Sequence, residues 1–109
     1  MADVAGALEK LKNEGEIRAF GLSNHSVEQY RAQRQSGPYS VVQPPYSLID
    51  PEGETSLLPY CESENIGVMI YSPMHKGLLT GKYTGEETFT DFRSNHPDFQ
   101  GERFKELCA

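Results

Sequence analysis

The sequence predicts an α/β fold built on a parallel β-sheet. Helical and strand-like segments alternate in the order α-β-α-β-α-β, and each strand-like run begins within a few residues of a helix end. This alternation is typical of right-handed βαβ crossovers. The first of these runs, residues 17–22, is short and apolar except for Arg18, which predicts a strand with both faces mostly covered.

The first helix is predicted over residues 3–14. Val4, Leu8 and Leu11 recur there at helical spacing, so they form one apolar stripe. Gly15 follows, and glycine commonly ends a helix in the left-handed conformation. Residues 17–22 then read I-R-A-F-G-L, which predicts the first strand.

A capping box predicts the start of the second helix. Ser26 is followed three residues later by Gln29, so each side chain can reach the other's backbone N–H. Gly37-Pro38 is expected to stop this helix. The next strand is predicted over residues 40–43, where Pro44-Pro45 ends it.

The third helix is predicted over residues 56–65 and the third strand over residues 67–71. Pro59 is compatible with this helix if Ser56 is the N-cap. Proline lacks a backbone N–H, but N–H groups in the first turn have no hydrogen-bond partner within the helix. Residues 72–101 are rich in glycine and polar side chains. They predict a long loop with one helical turn, and a last helix is expected to begin at Phe104.

Composition and charge exclude several classes of protein. The chain has 109 residues, a formal net charge of −6 and two cysteines. An acidic surface repels phosphate backbones, so nucleic-acid binding is not expected. No apolar run is long enough for a membrane span, and the N-terminus lacks the pattern of a signal peptide. We therefore expect a cytoplasmic chain whose residues 1–109 form a single segment without a second domain.

Polar side chains follow all three predicted strands. They are Ser23-Asn24, Gln43 and Tyr71-Ser72-Pro73. In parallel α/β proteins, ligands bind at the carboxyl ends of the strands, so this set could hold an amide and stack on a flat heterocycle. The alternative is ordinary polarity where a strand meets a loop, because Ser and Asn favour caps and turns for local reasons.

Residues 71–83 contain no acidic side chain but include Lys76 and Lys82. In an acidic chain this stretch predicts a local positive region suited to an anion such as phosphate, and Gly77 would let the backbone approach it closely. A loop with solvated lysines explains the same charges.

Other site motifs do not match. Gly77, Gly81 and Lys82 are spaced one residue too closely for a phosphate-binding P-loop. No G-x-S-x-G elbow is present, so a serine hydrolase has no support. The histidines and cysteines show no metal-ligand spacing, and we predict no metal site.

Four segments resemble the aldo-keto reductase family. They are G-E-I-R-A-F-G-L-S-N over residues 15–24, V-Q-P-P-Y-S-L over 42–48, I-G-V-M-I-Y-S-P over 66–73, and G-L-L-T-G-K-Y over 77–83. The segments occur in the family's order with matching gaps and cover nearly the whole chain. The resemblance implies a partial (β/α)8 TIM barrel, from about the fourth helix to the seventh strand.

The resemblance also implies a cofactor, NADP(H), and a small-molecule carbonyl substrate, an aldehyde or ketone. Ser23, Asn24 and Gln43 would hydrogen-bond the nicotinamide carboxamide, and Tyr71 would stack on the nicotinamide ring. The remaining cofactor-binding positions would follow the pyrophosphate and other phosphates; they are Ser72, Pro73, Met74, Lys76, Gly77, Lys82 and Arg93.

The resemblance implies that the family's catalytic Asp, Tyr, Lys and His all lie upstream of this segment. We therefore assign no catalytic residue here. We expect the isolated chain to be inactive, and its two edge strands to favour self-association. Three readings stay open: a piece of a reductase, a non-catalytic cofactor-binding or regulatory module, and an interaction protein that pairs through its strand edges.

Overall fold

A computed structural model describes residues 2–109, and Met1 lies outside the described residues. Four α-helices and three β-strands are present within that range. The helices are α1 (Ala2–Asn13), α2 (Val27–Arg34), α3 (Leu57–Ser63) and α4 (Gly101–Cys108), and the strands are β1 (Gly21–Ser23), β2 (Val41–Gln43) and β3 (Gly67–Val68). None of these helices is long and apolar enough to cross a membrane.

The three strands form a parallel sheet in the order β1-β2-β3. Leu22 pairs with Val42, and Val42 pairs with Val68. A further parallel bridge joins Pro45 to Tyr71 beyond the ends of β2 and β3. The predicted strand order is therefore confirmed, but the strands are shorter than predicted.

The cover expected on both faces of the first strand is wrong, because Gly21 and Ser23 are exposed although Phe20 is buried. Val42 is fully buried and Phe20 is 8% exposed, whereas Met69 on the opposite face is 59% exposed. Side chains alternate across a strand, and helices α1, α2 and α3 pack on one face only. That face holds the core, which comprises Ala5, Phe20, Val27, Tyr30, Tyr39, Val42, Leu57, Tyr60, Cys61 and Ile66.

Local signals set the helix ends. The Ser26 Oγ accepts from the Gln29 N–H at 3.2 Å, and the Ser26 N–H donates to the Gln29 side chain at 2.8 Å, which confirms the capping box. Gly15 has a φ of +79°. Its N–H and that of Glu16 donate to carbonyls of the last turn of α1, as in a Schellman motif.

The N-cap of α3 is the predicted residue, and the helix is shorter than the predicted range 56–65. Ser56 is the N-cap, but its side chain makes no capping hydrogen bond. A 3₁₀ helix, Glu52–Thr55, precedes it directly. The chain enters α3 from another helical segment, so the cap hydroxyl is not needed to turn the backbone. Pro59 lies in the first turn, as expected.

The chain divides into two compact units, the first ending at Tyr71 and the second running from Ser72 to Ala109. The first contains the sheet and helices α1 to α3. The second contains three 3₁₀ helices (His75–Thr80, Phe92–Asn95 and Pro97–Phe99) and α4, so the long loop carries more helical turns than expected, and α4 begins before Phe104. That residues 1–109 form a single domain stays a prediction.

Aromatic rings build the core of the second unit. Phe99 and Phe104 are 4% and 2% exposed. Their rings pack with those of Tyr83 and Phe89 at centroid distances of 5.2 to 6.2 Å. Such a cluster explains how a segment poor in regular secondary structure can hold a defined conformation.

Candidate functional site

The carboxyl ends of the three strands bring four of the predicted site residues together. Ser23 Oγ donates to the Gln43 carbonyl at 3.0 Å, and the Asn24 N–H donates to the same carbonyl at 3.2 Å. The Tyr71 hydroxyl donates to Asn24 Oδ1 at 2.7 Å. Residues up to 47 positions apart in the sequence therefore meet at one edge of the sheet.

Asn24 is held in the left-handed region, with a φ of +57°. Asparagine tolerates this conformation better than most side chains. Because the Tyr71 hydroxyl occupies Oδ1, the donor that Asn24 can offer a ligand is its Nδ2. An amide donor aimed by a neighbouring phenol suits a ligand carbonyl oxygen.

Hydrogen bonds of the Tyr71 backbone fix the position of its ring. The Tyr71 N–H donates to the Pro44 carbonyl at 3.0 Å, and the Tyr46 N–H donates to the Tyr71 carbonyl at 3.3 Å. These bonds extend the β2–β3 pairing beyond the strands. The Tyr71 side chain keeps 37% exposure, which leaves ring surface for a flat partner to stack on.

A shallow cavity of about 270 Å³ lies on the uncovered face of the sheet. Ser23, Gln43 and Met69 contribute to its lining, together with Gly21, Leu22 and Val41. The cavity is bounded by both hydrogen-bonding and apolar side chains. This combination suits a small amide-bearing ring better than a highly charged ligand.

A second cavity of about 380 Å³ includes Asn24 in its lining. Its lining includes Glu28, Asp50 and Glu52. Hydrogen bonds from the backbone and from Ser26 lower the pKa of Glu28, so this carboxylate is ionised at neutral pH. The negative charge of these walls disfavours a phosphate group here.

In the second unit, the predicted phosphate-contact residues lie on a strained segment. Ser72, His75 and Lys76 all have positive φ, between 44° and 56°, and Gly77 has a φ of 99°. Non-glycine residues rarely adopt this region, so surrounding contacts must hold the segment in place. Pro73 and Met74 are exposed, and Lys76 and Gly77 are half-buried.

Arg93 is one of the contacts that hold this segment. Its Nε donates to the Lys76 carbonyl at 3.1 Å, and its guanidinium also pairs with Asp91. The same guanidinium lies over the Phe92 ring at 4.9 Å. Arg93 therefore supports the segment and is already paired, whereas Lys82 is exposed beside the Tyr83 ring.

The positive region predicted over residues 71–83 is modified by an acid that the fold brings to it. Asp98, which lies later in the chain and outside the acid-free stretch, pairs with His75 at 2.8 Å. Arg93 is paired with its sequence neighbour Asp91. Among the predicted cations, Lys82 is the one best exposed to an incoming anion.

His75, His96 and Asp98 form a cluster that the sequence analysis did not identify. One ligand-type atom from each lies within 4.8 Å of the others. Burial alone would raise the pKa of Asp98, but hydrogen bonds from His75 and Arg103 outweigh this effect and lower it. Burial, with the charge of Lys76, lowers the pKa of His96. The 23-residue separation of His75 and Asp98 gave no spacing signal.

The sequence profile of the Aldo/keto reductase family matches residues 1–108. The chain is 43% identical to aldo-keto reductase YhdN of Bacillus subtilis, over 98% of this chain and 33% of that protein. It is 38% identical to the NADH-specific methylglyoxal reductase of Escherichia coli, over 94% of this chain and 31% of that protein. It is 36% identical to the aldo-keto reductase yakc [NADP(+)] of Schizosaccharomyces pombe, over 93% of this chain and 31% of that protein.

The structure agrees with these sequence relationships. It superposes on the glycerol dehydrogenase AKR11B4 of Gluconobacter oxydans with a TM-score of 0.90 and 41% identity, over 99% of this chain and 34% of that one. The chain thus spans about a third of the length of the relatives it matches. Its three parallel strands and their helices are part of a (β/α)8 barrel, and they do not close. This chain belongs to the aldo-keto reductase family.

Proposed function

We propose that this chain supplies the nicotinamide- and phosphate-contacting part of an NADP(H)-dependent aldo-keto reductase that reduces aldehydes or ketones. One observation carries the proposal: the Tyr71 hydroxyl orients the Asn24 amide through a 2.7 Å hydrogen bond at the edge of the sheet. Ser23 and Gln43 lie beside this pair. The family membership supports the choice of cofactor class.

The polar groups at this edge fit a carboxamide. Asn24 Nδ2 would donate to the carboxamide oxygen. Ser23 Oγ already donates its hydrogen to the Gln43 carbonyl, so its lone pairs could accept from the carboxamide NH₂. The Gln43 side chain is exposed and would complete the contact. Complementary donors and acceptors of this kind fix the orientation of a ring.

Tyr71 would pack its ring against one face of the nicotinamide. When bound, this cofactor supplies a hydride to the carbonyl carbon of the substrate. The ring of Tyr71 would cover one face and so decide which hydrogen is transferred. Its bond to Asn24 would fix the carboxamide and the stacking surface as one unit, which limits the rotation that binding must suppress.

The phosphate groups would be contacted by the remaining residues that the resemblance assigns to the cofactor. Ser72, Pro73 and Met74 would follow the pyrophosphate with Lys76 and Gly77 beside them, and Lys82 and Arg93 would meet phosphates. NADP(H) rather than NAD(H) is supported by the exposure of Lys82, whose charge suits an additional phosphate. Among the relatives, one carries NADH in its name and another carries NADP(+).

Proton transfer to the substrate is assigned to residues outside this chain, so the 109-residue chain is expected to bind cofactor without reducing carbonyls.

The chain's two free cysteines support the proposed cytoplasmic location. Exposed side chains on β3 and just after it favour the alternative of self-association, since Val68 and Ile70 retain 37% and 41% exposure.

The proposal predicts that NADPH raises the thermal stability of the chain and that Asn24 contributes to this effect. At about 100 times the Kd, a ligand that binds only the folded state adds about 2.7 kcal/mol. Asn24→Gly removes the amide and keeps the left-handed backbone without strain. We expect this variant to bind NADPH about tenfold more weakly, equivalent to about 1.4 kcal/mol, as measured by isothermal titration calorimetry.

Asn65→Gly is the matched control. Asn65 is exposed and also has a left-handed backbone, with a φ of +53°, but it lies at the end of α3. It should therefore leave NADPH binding unchanged. An equal loss in both variants, or no binding by the parent chain, would contradict the proposal. A mass that rises with protein concentration, without cofactor binding, would favour self-association instead.

Lys82 is predicted to determine the preference for NADPH over NADH. Reversing its charge with Lys82→Glu should weaken NADPH binding about tenfold, since a charge-assisted phosphate contact is lost and repulsion is added. NADH binding should change much less. Lys12→Glu makes the same charge change at an exposed position on α1, and the ratio of the two dissociation constants should stay as in the parent chain. A ratio that is equal in both variants would exclude this role.

A further inference from the structure

The second unit contains a cluster of two imidazoles and a carboxylate that the proposed cofactor contacts do not use. His75 lies on the 3₁₀ helix His75–Thr80, Asp98 on the 3₁₀ helix Pro97–Phe99, and His96 is the N-cap of the latter. The side chains of His75, His96 and Asp98 are 7%, 27% and 20% exposed. The cluster is thus half enclosed and keeps a path to solvent.

We propose that His75, His96 and Asp98 form a binding site for a divalent transition-metal ion such as Zn²⁺. Imidazole nitrogens and a carboxylate oxygen are ligands that Zn²⁺ takes in proteins. Three protein ligands leave the fourth position of a tetrahedral site to water or an exogenous ligand.

The three ligand atoms lie within 4.8 Å of one another, so their side chains must move to reach a common zinc ion. His75 Nε2 lies 2.8 Å from Asp98 Oδ2, and His96 Nδ1 lies 4.0 Å from the same oxygen. Ligand atoms on a tetrahedral zinc ion are about 3.4 Å apart, given bonds of about 2.0–2.2 Å. The distance from His75 Nε2 to Asp98 Oδ2 must lengthen by about as much as the distance from His96 Nδ1 to Asp98 Oδ2 must shorten. The cation takes the place of the hydrogen that joins His75 to Asp98.

His96 Nδ1 is in the unprotonated, acceptor state that a metal ligand needs. The Asp98 N–H donates to His96 Nδ1 at 3.3 Å, so this nitrogen accepts a hydrogen bond and carries no hydrogen of its own. The bond is long, and metal binding would replace it at small cost. The Phe99 ring packs edge-on to the His96 ring at 5.7 Å and limits its rotation.

A second residue orients the carboxylate. Arg103, on α4, donates from Nε to Asp98 Oδ1 at 3.2 Å, which leaves Oδ2 facing the histidines. Such outer contacts fix ligand orientation in metal sites. Arg103 and Lys76 also oppose the charge of a cation. We therefore expect an affinity of about micromolar, weaker than that of a dedicated structural zinc site.

Calorimetric titration of the 109-residue chain with Zn²⁺ tests the proposal. We expect one ion per chain and a loss of affinity of at least about tenfold in both His96→Gln and Asp98→Asn, since even outer contacts are worth about 10- to 100-fold. The chain has three histidines, so His25→Gln is the matched control and should bind as the parent does. Equal loss in His25→Gln and His96→Gln, or a Kd weaker than about millimolar for the parent, would overturn the proposal.

Two measurements on the parent chain do not depend on the variants folding. With Co²⁺ as the probe, the site should give visible absorption without a thiolate-to-cobalt charge-transfer band, because its ligands are nitrogen and oxygen. With Zn²⁺, amide hydrogen exchange should slow in residues 75–80 and 97–108. A thiolate band, which would indicate Cys61 or Cys108, or protection confined to other residues, would assign the ion elsewhere and refute the site.

Discussion

Replacing Gly21 with alanine is expected to abolish cooperative folding of the first unit. A Cβ added at Gly21 would lie 2.1 Å from the Val41 carbonyl oxygen and 2.7 Å from the Val41 carbonyl carbon. Those atoms belong to the backbone of β2, which pairs with β1 at this position. No change of rotamer can relieve a clash with backbone, so the strands must separate.

The expected cost exceeds that of an ordinary overpacked core. Overpacking costs about 1–3 kcal/mol where side chains can move, and we expect at least about 3 kcal/mol here because the pairing itself is lost. A domain is stable by only about 5–15 kcal/mol. Urea unfolding followed by circular dichroism should therefore show a greatly lowered midpoint or no cooperative transition, with faster amide exchange in residues 21–23 and 41–43.

Gly6→Ala is the same chemical change at a position with the opposite expectation. Gly6 lies on α1, and no atom lies within 4 Å of an added Cβ. Alanine at an exposed interior position of a helix makes the helix more stable than glycine does, by up to about 1 kcal/mol. Equal unfolding midpoints for Gly21→Ala and Gly6→Ala would show that the close approach of β1 and β2 is not as described.

Replacing Phe99 with alanine is expected to unfold the second unit. Phe99 is 4% exposed, and its ring lies 5.2 Å from the ring of Phe89 and 5.6 Å from that of Phe104. Removing a buried phenyl ring costs about 3–5 kcal/mol through lost burial and the cavity left behind. The second unit has little regular secondary structure to compensate, so amide exchange in α4 should approach the rate of an unfolded chain.

Phe92→Ala separates this effect from the general loss of an aromatic residue. Phe92 is 61% exposed, and its ring contacts the Arg93 guanidinium at 4.9 Å. An exposed cation–π contact is worth about 0.5–1 kcal/mol, so protection of α4 should persist. Loss of protection in both variants would mean that the aromatic cluster does not determine the stability of this unit.

The helices show how far local sequence signals extend. Ser26 and Gln29 predicted the start of α2, and Gly15 predicted the end of α1, and both are confirmed. These signals act between residues close in sequence, so one chain segment contains all the atoms involved. The resemblance to the family likewise depends on linear motifs, and it is confirmed by the family match.

The sequence analysis overestimated the length of the strands. Residues 17–22 and 67–71 are mostly apolar, but only Gly21–Ser23 and Gly67–Val68 form strands. A strand requires a partner for each backbone group, and the number of paired residues depends on how two distant segments meet. Cover also differs along the sheet, since Phe20 and Val42 are buried whereas Ile70 is 41% exposed at the sheet edge.

The sequence by itself determined the order of elements, the start of α2 and the end of α1, because these depend on neighbours along the chain. Tertiary structure decided which residues touch. The bond from Tyr71 to Asn24 spans 47 positions, and that from His75 to Asp98 spans 23. Neither pair has a spacing that could reveal it, because separation along a folded chain says little about distance. The oriented amide and the histidine–carboxylate cluster therefore exist only once the chain has folded.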